Sequence, residues 1–155
     1  MRRLFALLAA ACWLALLAHP AAAATGRVIK VLPHFLDAKG RQSLNPSLYE
    51  RDAYQAMLRD HPTNRSGIRF DVQWKTKGPA FGQLKLRLEL RGIAQGDLPR
   101  QLVLEQKVEP GGWFSHWTSL PLIGAKYRDF GEVTAWRATL WDDTQLLGEQ
   151  QSFLW

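Results

Sequence analysis

The sequence predicts an all-β, mainly antiparallel fold: a two-sheet sandwich of about seven strands with one helix inserted between the first two. Three observations carry this. The stretches 68–74 and 84–90 alternate apolar and polar residues strictly. Glycine and proline clusters cut the rest of the chain into short segments. Only residues 45–62 show a helical period.

The N-terminus stands apart from that fold. Met1-Arg2-Arg3, an apolar run from Leu4 to Leu17 and small residues at Ala21 to Ala24 predict a secretory signal peptide cut after Ala24. The run is short for a membrane span, and no later segment is more apolar. Two variants have weaker support. Cys12 after Leu8-Ala9-Ala10-Ala11 lacks the leucine of a lipoprotein signal, and Arg2-Arg3 lacks the remainder of a twin-arginine motif. An uncleaved anchor is the minor alternative. Removing 24 of the 155 residues leaves one domain of 131, residues 25–155, and losing Arg2 and Arg3 lowers the formal charge from +6 to +4. Cys12, the single cysteine, leaves with the leader. The domain must therefore hold by its core without disulfides, which fits a bacterial periplasmic or secreted protein. The modest positive charge gives no reason to expect nucleic acid as a partner. Asn64-Arg65-Ser66 is read as a chance glycosylation sequon.

The first strand is expected over Arg27 to Asp37, with β-prone Val28, Ile29, Val31 and Leu32. Pro33 restricts it to an edge or a bend. Asn45 to Pro62 is the helix. Asn45-Pro46 suits an N-cap followed by proline, and Ser47 with Glu50 alternatively suits a capping box. Tyr49, Ala53, Ala56 and Met57 make one apolar stripe, with Arg51, Asp52, Gln55 and Arg59 mostly outside it. Pro62 stops the helix near Asp60.

Ile68, Phe70, Val72 and Trp74 then alternate with polar residues, as do Leu84, Leu86, Leu88 and Leu90, so each strand has one buried face. The connection through Gly78 and Gly82 is short enough for a hairpin. Pairing of the two strands would place Arg69, Lys75, Lys85, Arg87 and Arg91 on one sheet. Gly92, Gly96 and Pro99 mark a loop before a strand at Leu102 to Val108. Pro110-Gly111-Gly112 turns the chain into a strand at Trp113 to Leu120, and Pro121 and Gly124 open another loop. Lys126 to Phe130 suits a short turn of helix. The last hairpin has Trp136, Ala138 and Leu140 on one face and Asp142-Asp143-Thr144-Gln145 as its turn. Phe153 and Trp155 share a side of the returning strand, which predicts that the C-terminus is sewn into the sheet.

In strand number, and in an early tryptophan at Trp74 on a buried face, the pattern resembles an immunoglobulin-like or fibronectin type III-like β-sandwich. The resemblance is architectural and implies no activity. No cysteine pair flanks that tryptophan, so antibody-type domains are excluded.

Little in the chain carries chemistry. His34, His61 and His116 lie in separate segments without metal-ligand spacing. There is no Gly-x-Ser-x-Gly, no phosphate-cradling glycine loop and no cysteine nucleophile after residue 24. No cofactor or metal is expected. Glu89, Glu105, Glu109, Glu132 and Glu149 could pair for glycoside chemistry only if the fold gathers them, and each is equally the polar position of a strand or turn. The tryptophans are the most informative feature, six of them after the leader. Trp74 and Trp136 fall on apolar faces. Trp113, Trp117 and Trp141, with His116, alternate with polar or mixed residues and are the candidate ligand contacts, as aromatic rings at a protein or glycan interface. The expectation is a non-enzymatic exported sandwich that binds or assembles, with an unidentified protein or glycan partner. The alternatives are a carbohydrate-binding module and a small hydrolase. An outer-membrane barrel is disfavoured because the helix has no place in such a wall.

Overall fold

The computed structural model describes residues 24–78, 82–110 and 114–155. The leader before Ala24, the tip of the 78–82 connection and Trp113 lie outside the described residues. Among the described residues, seven antiparallel strands form two sheets. In chain order the elements are β1 (Thr25–Asp37), α1 (Leu48–Asp60), β2 (Arg65–Lys77), β3 (Leu84–Ala94), β4 (Leu98–Lys107), β5 (His116–Ile123), α2 (Gly124–Phe130), β6 (Glu132–Asp142) and β7 (Gln145–Gln151). One sheet has the order β1-β2-β5 and the other β4-β3-β6-β7. The helix between the first two strands is where the periodicity predicts it.

The core forms where the alternating faces of the two sheets meet. Phe70, Val72 and Trp74 of β2 and Leu84, Leu86, Leu88 and Leu90 of β3 are buried in one cluster with Leu120, Leu122, Ala138 and Leu140. The Trp74 indole N–H donates to Thr118 Oγ1 at 2.9 Å, so the largest core side chain keeps its polar atom satisfied.

Several expectations need correction. β2 and β3 do not form a hairpin: β2 pairs with β1 and β5, and β3 with β4 and β6. Alternation shows which face of a strand is buried but not which sheet it joins, and a sandwich core is built by strands that face each other as readily as by strands that pair. The basic residues of β2 and β3 therefore lie on different sheets. Pro99 and Pro121 sit inside β4 and β5, not in loops. Both are edge strands, as is β1 with Pro33, and edge strands are where a sheet tolerates a missing N–H. The turn between β3 and β4 is tighter than expected, with Gly96 and Asp97 at φ of +77° and +57°.

The helix also differs in its buried face. Ser47 precedes it but makes no side-chain cap, and Gln55 and Leu58 are its buried residues. Tyr49 of the expected apolar stripe is 84% exposed.

Two of the sheet edges meet at one side of the sandwich. A Cβ on Gly148 of β7 would lie 2.6 Å from the Arg27 Cα of β1, so the chains cross there with no room for a side chain. β7 stops at Gln151, level with Arg137 of β6. Beyond that point the start of β6 and the second half of β1 face each other with no strand between them. The C-terminus turns away here and does not continue the sheet. The Ser152 N–H donates to the Trp136 carbonyl at 2.9 Å, and Ser152 Oγ accepts from the Trp136 N–H at 3.0 Å. Phe153 is wholly exposed. The Trp155 ring packs under the guanidinium groups of Arg91 and Arg137, at 4.0 and 4.9 Å. Deleting Ser152 to Trp155 removes both hydrogen bonds and both cation–π contacts and is expected to cost about 2 kcal/mol in urea unfolding. Phe153→Ser should leave the midpoint unchanged. An unchanged midpoint in the deletion would show that these contacts do not hold the edge.

Candidate functional site

The gap left where β7 ends is a half-open cavity of about 470 Å³. Its walls are the free edge of β1 from Lys30 to Phe35, the start of β6 with Val133 and Trp136, and one side of α1. The volume falls within the roughly 300–1,000 Å³ of small-molecule sites. Phe35, Ile68, Phe70, Val133 and Trp136 supply apolar surface.

Gln55 explains why α1 lies along this edge. Its side-chain amide accepts the Phe35 N–H at 2.8 Å and donates to the Phe35 carbonyl at 3.0 Å and to the Gln42 carbonyl at 2.7 Å. One amide thus replaces the neighbouring strand that β1 lacks. Two residues along the same edge, Pro33 has no N–H to offer. Edge strands with open donors and acceptors invite further pairing, and this one is closed by a glutamine and a proline.

Two charged residues fix the helix in place. Asp37, buried at the end of β1, accepts the N–H groups of Lys39 and Arg41, each at 2.8 Å, the Arg41 Nε at 2.9 Å and the Tyr54 hydroxyl of α1 at 2.8 Å. Burial alone would raise its pKa, but these donors outweigh it and hold the carboxyl far below the usual carboxylate range. Burial and the Asp37 contact push the Tyr54 hydroxyl up. At the C-terminal end of α1, Arg65 donates to the Leu58 carbonyl at 2.5 Å and to the Arg59 carbonyl. Its guanidinium lies 3.9 Å over the Phe35 ring and pairs with Glu132 at 2.9 Å. The helix is therefore held in its middle, by Tyr54 and Gln55, and at its C-terminal end.

The rim of the cavity is cationic. Lys30 and Arg59 are exposed, and Arg51 has Asp52 as its acid neighbour, at 3.5 Å. His34 stands 3.7 Å from Asp71 on the outer side of β1. Burial lowers its pKa, the attraction of Asp71 opposes this, and Arg51 and Arg69 lower it further, so the net direction is downward and the ring is neutral at pH 7.

The residues singled out by sequence fall elsewhere. Trp117 is 51% exposed on the outer face of the β1-β2-β5 sheet, opposite Gln73. Trp141 is on the outer face of the other sheet, half-buried, with its indole N–H donating to Thr139 Oγ1 at 2.8 Å. The two rings therefore share no platform. His116 is exposed and its ring lies 5.3 Å from that of Trp74. Among the described residues it has no acid or nucleophile in hydrogen-bond reach, and none group as three or more His, Cys, Asp or Glu around a possible metal position. Trp113 lies outside the described residues. Trp136, assigned to a core face, packs against the core but is only half-buried because it also forms a cavity wall. Lys30, Phe35, Gln55 and Arg59 went unnoticed as site residues, since the site is made by strand edges and a helix that no linear motif joins.

Among the described residues, no helix is long and apolar enough to cross a membrane. No protein-family model, curated protein or solved structure matches the chain.

Proposed function

We propose that this chain is an exported, non-enzymatic binding module of the bacterial envelope. Its sandwich is of the immunoglobulin-like or fibronectin type III-like kind, and its ligand enters the cavity between β1, α1 and β6. One observation carries the reading: the 470 Å³ cavity has apolar walls, and the helix that borders it is pinned by Asp37, Gln55 and Arg65. A preformed concave site with a few placed polar groups is what small-ligand binding uses. The signal-like N-terminus supports export, to the periplasm or beyond the cell.

A thermal-shift screen of small amphiphiles, peptides and glycans tests this. A ligand of the folded state raises Tm according to its concentration over Kd. Ligands acting through the cavity should stabilise the natural protein and lose that effect in Thr134→Trp, which places a large ring at the cavity wall. Equal stabilisation of both proteins would contradict the proposal. A second reading, glycan binding, rests on the exposure of Trp117 beside Gln73. It requires that glycans stabilise the protein and that Trp117→Ala abolish this.

A further inference from the structure

The two halves of the cavity differ in chemistry, and the difference specifies an occupant. The deep part is formed by Phe35, Ile68, Val133 and Trp136, and behind them Phe70 is fully buried. The one charge that touches these residues, the Arg65 guanidinium over Phe35, is already paired with Glu132. The mouth carries Lys30, Arg51 and Arg59 against one acid, Asp52. The Asp52 side chain is 74% exposed and lies beside Arg51, so it offsets one cation at most. Arg59 keeps its guanidinium available, because its contact with Arg65 is made through its backbone carbonyl.

The walls argue against two other occupants. An added peptide strand needs free N–H and C=O groups along an edge. At Phe35 both are taken by Gln55, and at Pro33 the N–H does not exist. A sugar needs free polar groups along the walls, and of the uncharged polar groups here Gln55, Thr134 and Ser152 are already bonded to backbone groups. An apolar body seated inside with an anionic head at the mouth matches both the apolar walls and the exposed cations. The apolar walls favour the body by roughly 25 cal/mol per Å² removed from water, and the cations favour the head by charge-assisted hydrogen bonds.

We infer that the cavity binds an amphipathic anion, a single apolar chain or ring body carrying one carboxylate or phosphate head, with the head held by Lys30, Arg51 and Arg59. This rests on the cavity being the ligand site proposed above and names the class of ligand it takes. Such a molecule can be a free acid or an anionic lipid at a membrane surface, and the two share this chemistry.

Isothermal titration of the purified protein with dodecanoate below its micelle concentration, dodecanol below its solubility limit, and acetate tests it. Dodecanoate should bind one per chain, about tenfold or more tighter than dodecanol, a difference in the range expected for charge-assisted contacts, and acetate should not saturate. Lys30→Gln with Arg59→Gln should remove most of that difference and leave dodecanol binding as it was; both side chains are exposed, so the urea midpoint should hold. Co-sedimentation with phosphatidylglycerol vesicles, competed away by dodecanoate, assigns the lipid source; dodecanoate binding without co-sedimentation assigns the free acid. Equal affinity for dodecanoate and dodecanol would overturn the anionic head while leaving the cavity as a ligand site. Saturable binding of neither would overturn the inference, and the cavity reading then stands or falls on the Thr134→Trp comparison.

Discussion

Replacing Gln55 by leucine is expected to destabilise the protein by about 4 kcal/mol. Leucine is similar in volume to glutamine but offers no donor or acceptor. The Phe35 N–H, the Phe35 carbonyl and the Gln42 carbonyl would each lose a partner at 2.7–3.0 Å. Leaving a buried polar group unpaired costs about 1–3 kcal/mol. Three such groups at a partly buried edge, some of them recovered by water, give the total. The variant should unfold in urea at a lower midpoint with an unchanged slope, and binding in the proposed cavity should weaken, because α1 loses its bonds to the β1 edge. A loss below about 1 kcal/mol would mean that water replaces the amide and that β1 is an ordinary open edge.

The second large effect belongs to Asp37. Asp37→Asn should cost about 3 kcal/mol at pH 7. It removes the negative charge that Arg41 pairs with at 2.8 Å and turns an amide NH₂ toward groups that are themselves donors. Its pH signature is specific. The folded carboxyl titrates far below the usual range, whereas the unfolded one titrates near pH 4. In acid the unfolded chain therefore binds the extra proton, and stability falls as pH falls. The contribution is complete above about pH 5 and is lost progressively from about pH 4 downward. The natural protein should lose stability through that window, and Asp37→Asn should lose less. Parallel curves for the two proteins would show that Asp37 is not the group responsible.

How much of this was legible in the sequence depends on the range of each interaction. The buried faces of β2 and β3 were readable because alternation is local: Phe70 and Leu88 each sit among neighbours two residues away that point the same way. The edge position of β1 was readable from Pro33. The sheet to which each strand belongs was not, because an apolar ladder such as Leu84 to Leu90 faces a strand of the other sheet as well as it pairs within its own. Pro121 looked like a loop residue for the same reason, since its edge position is a property of the sheet.

The site was less legible still. Gln55 is polar and lies off the Tyr49–Ala53–Met57 stripe, so helical periodicity placed it toward solvent. It is buried because a backbone edge twenty residues earlier needs it, and backbone groups leave no mark in a sequence. The tryptophans drew attention by their chemistry. Trp117 and Trp141 then fall on opposite sheets, while Trp136, read as core, forms a wall of the cavity.

Nitrogen-resolved NMR of the purified protein during a dodecanoate titration locates the proposed binding site most directly. Binding in the cavity should shift the Phe35 amide, the Gln55 side-chain amide and the Trp136 indole and leave the indoles of Trp117 and Trp141 unmoved. Shifts centred on Trp117, with Trp136 and Gln55 unchanged, would contradict it and place binding on the outer face of the three-stranded sheet.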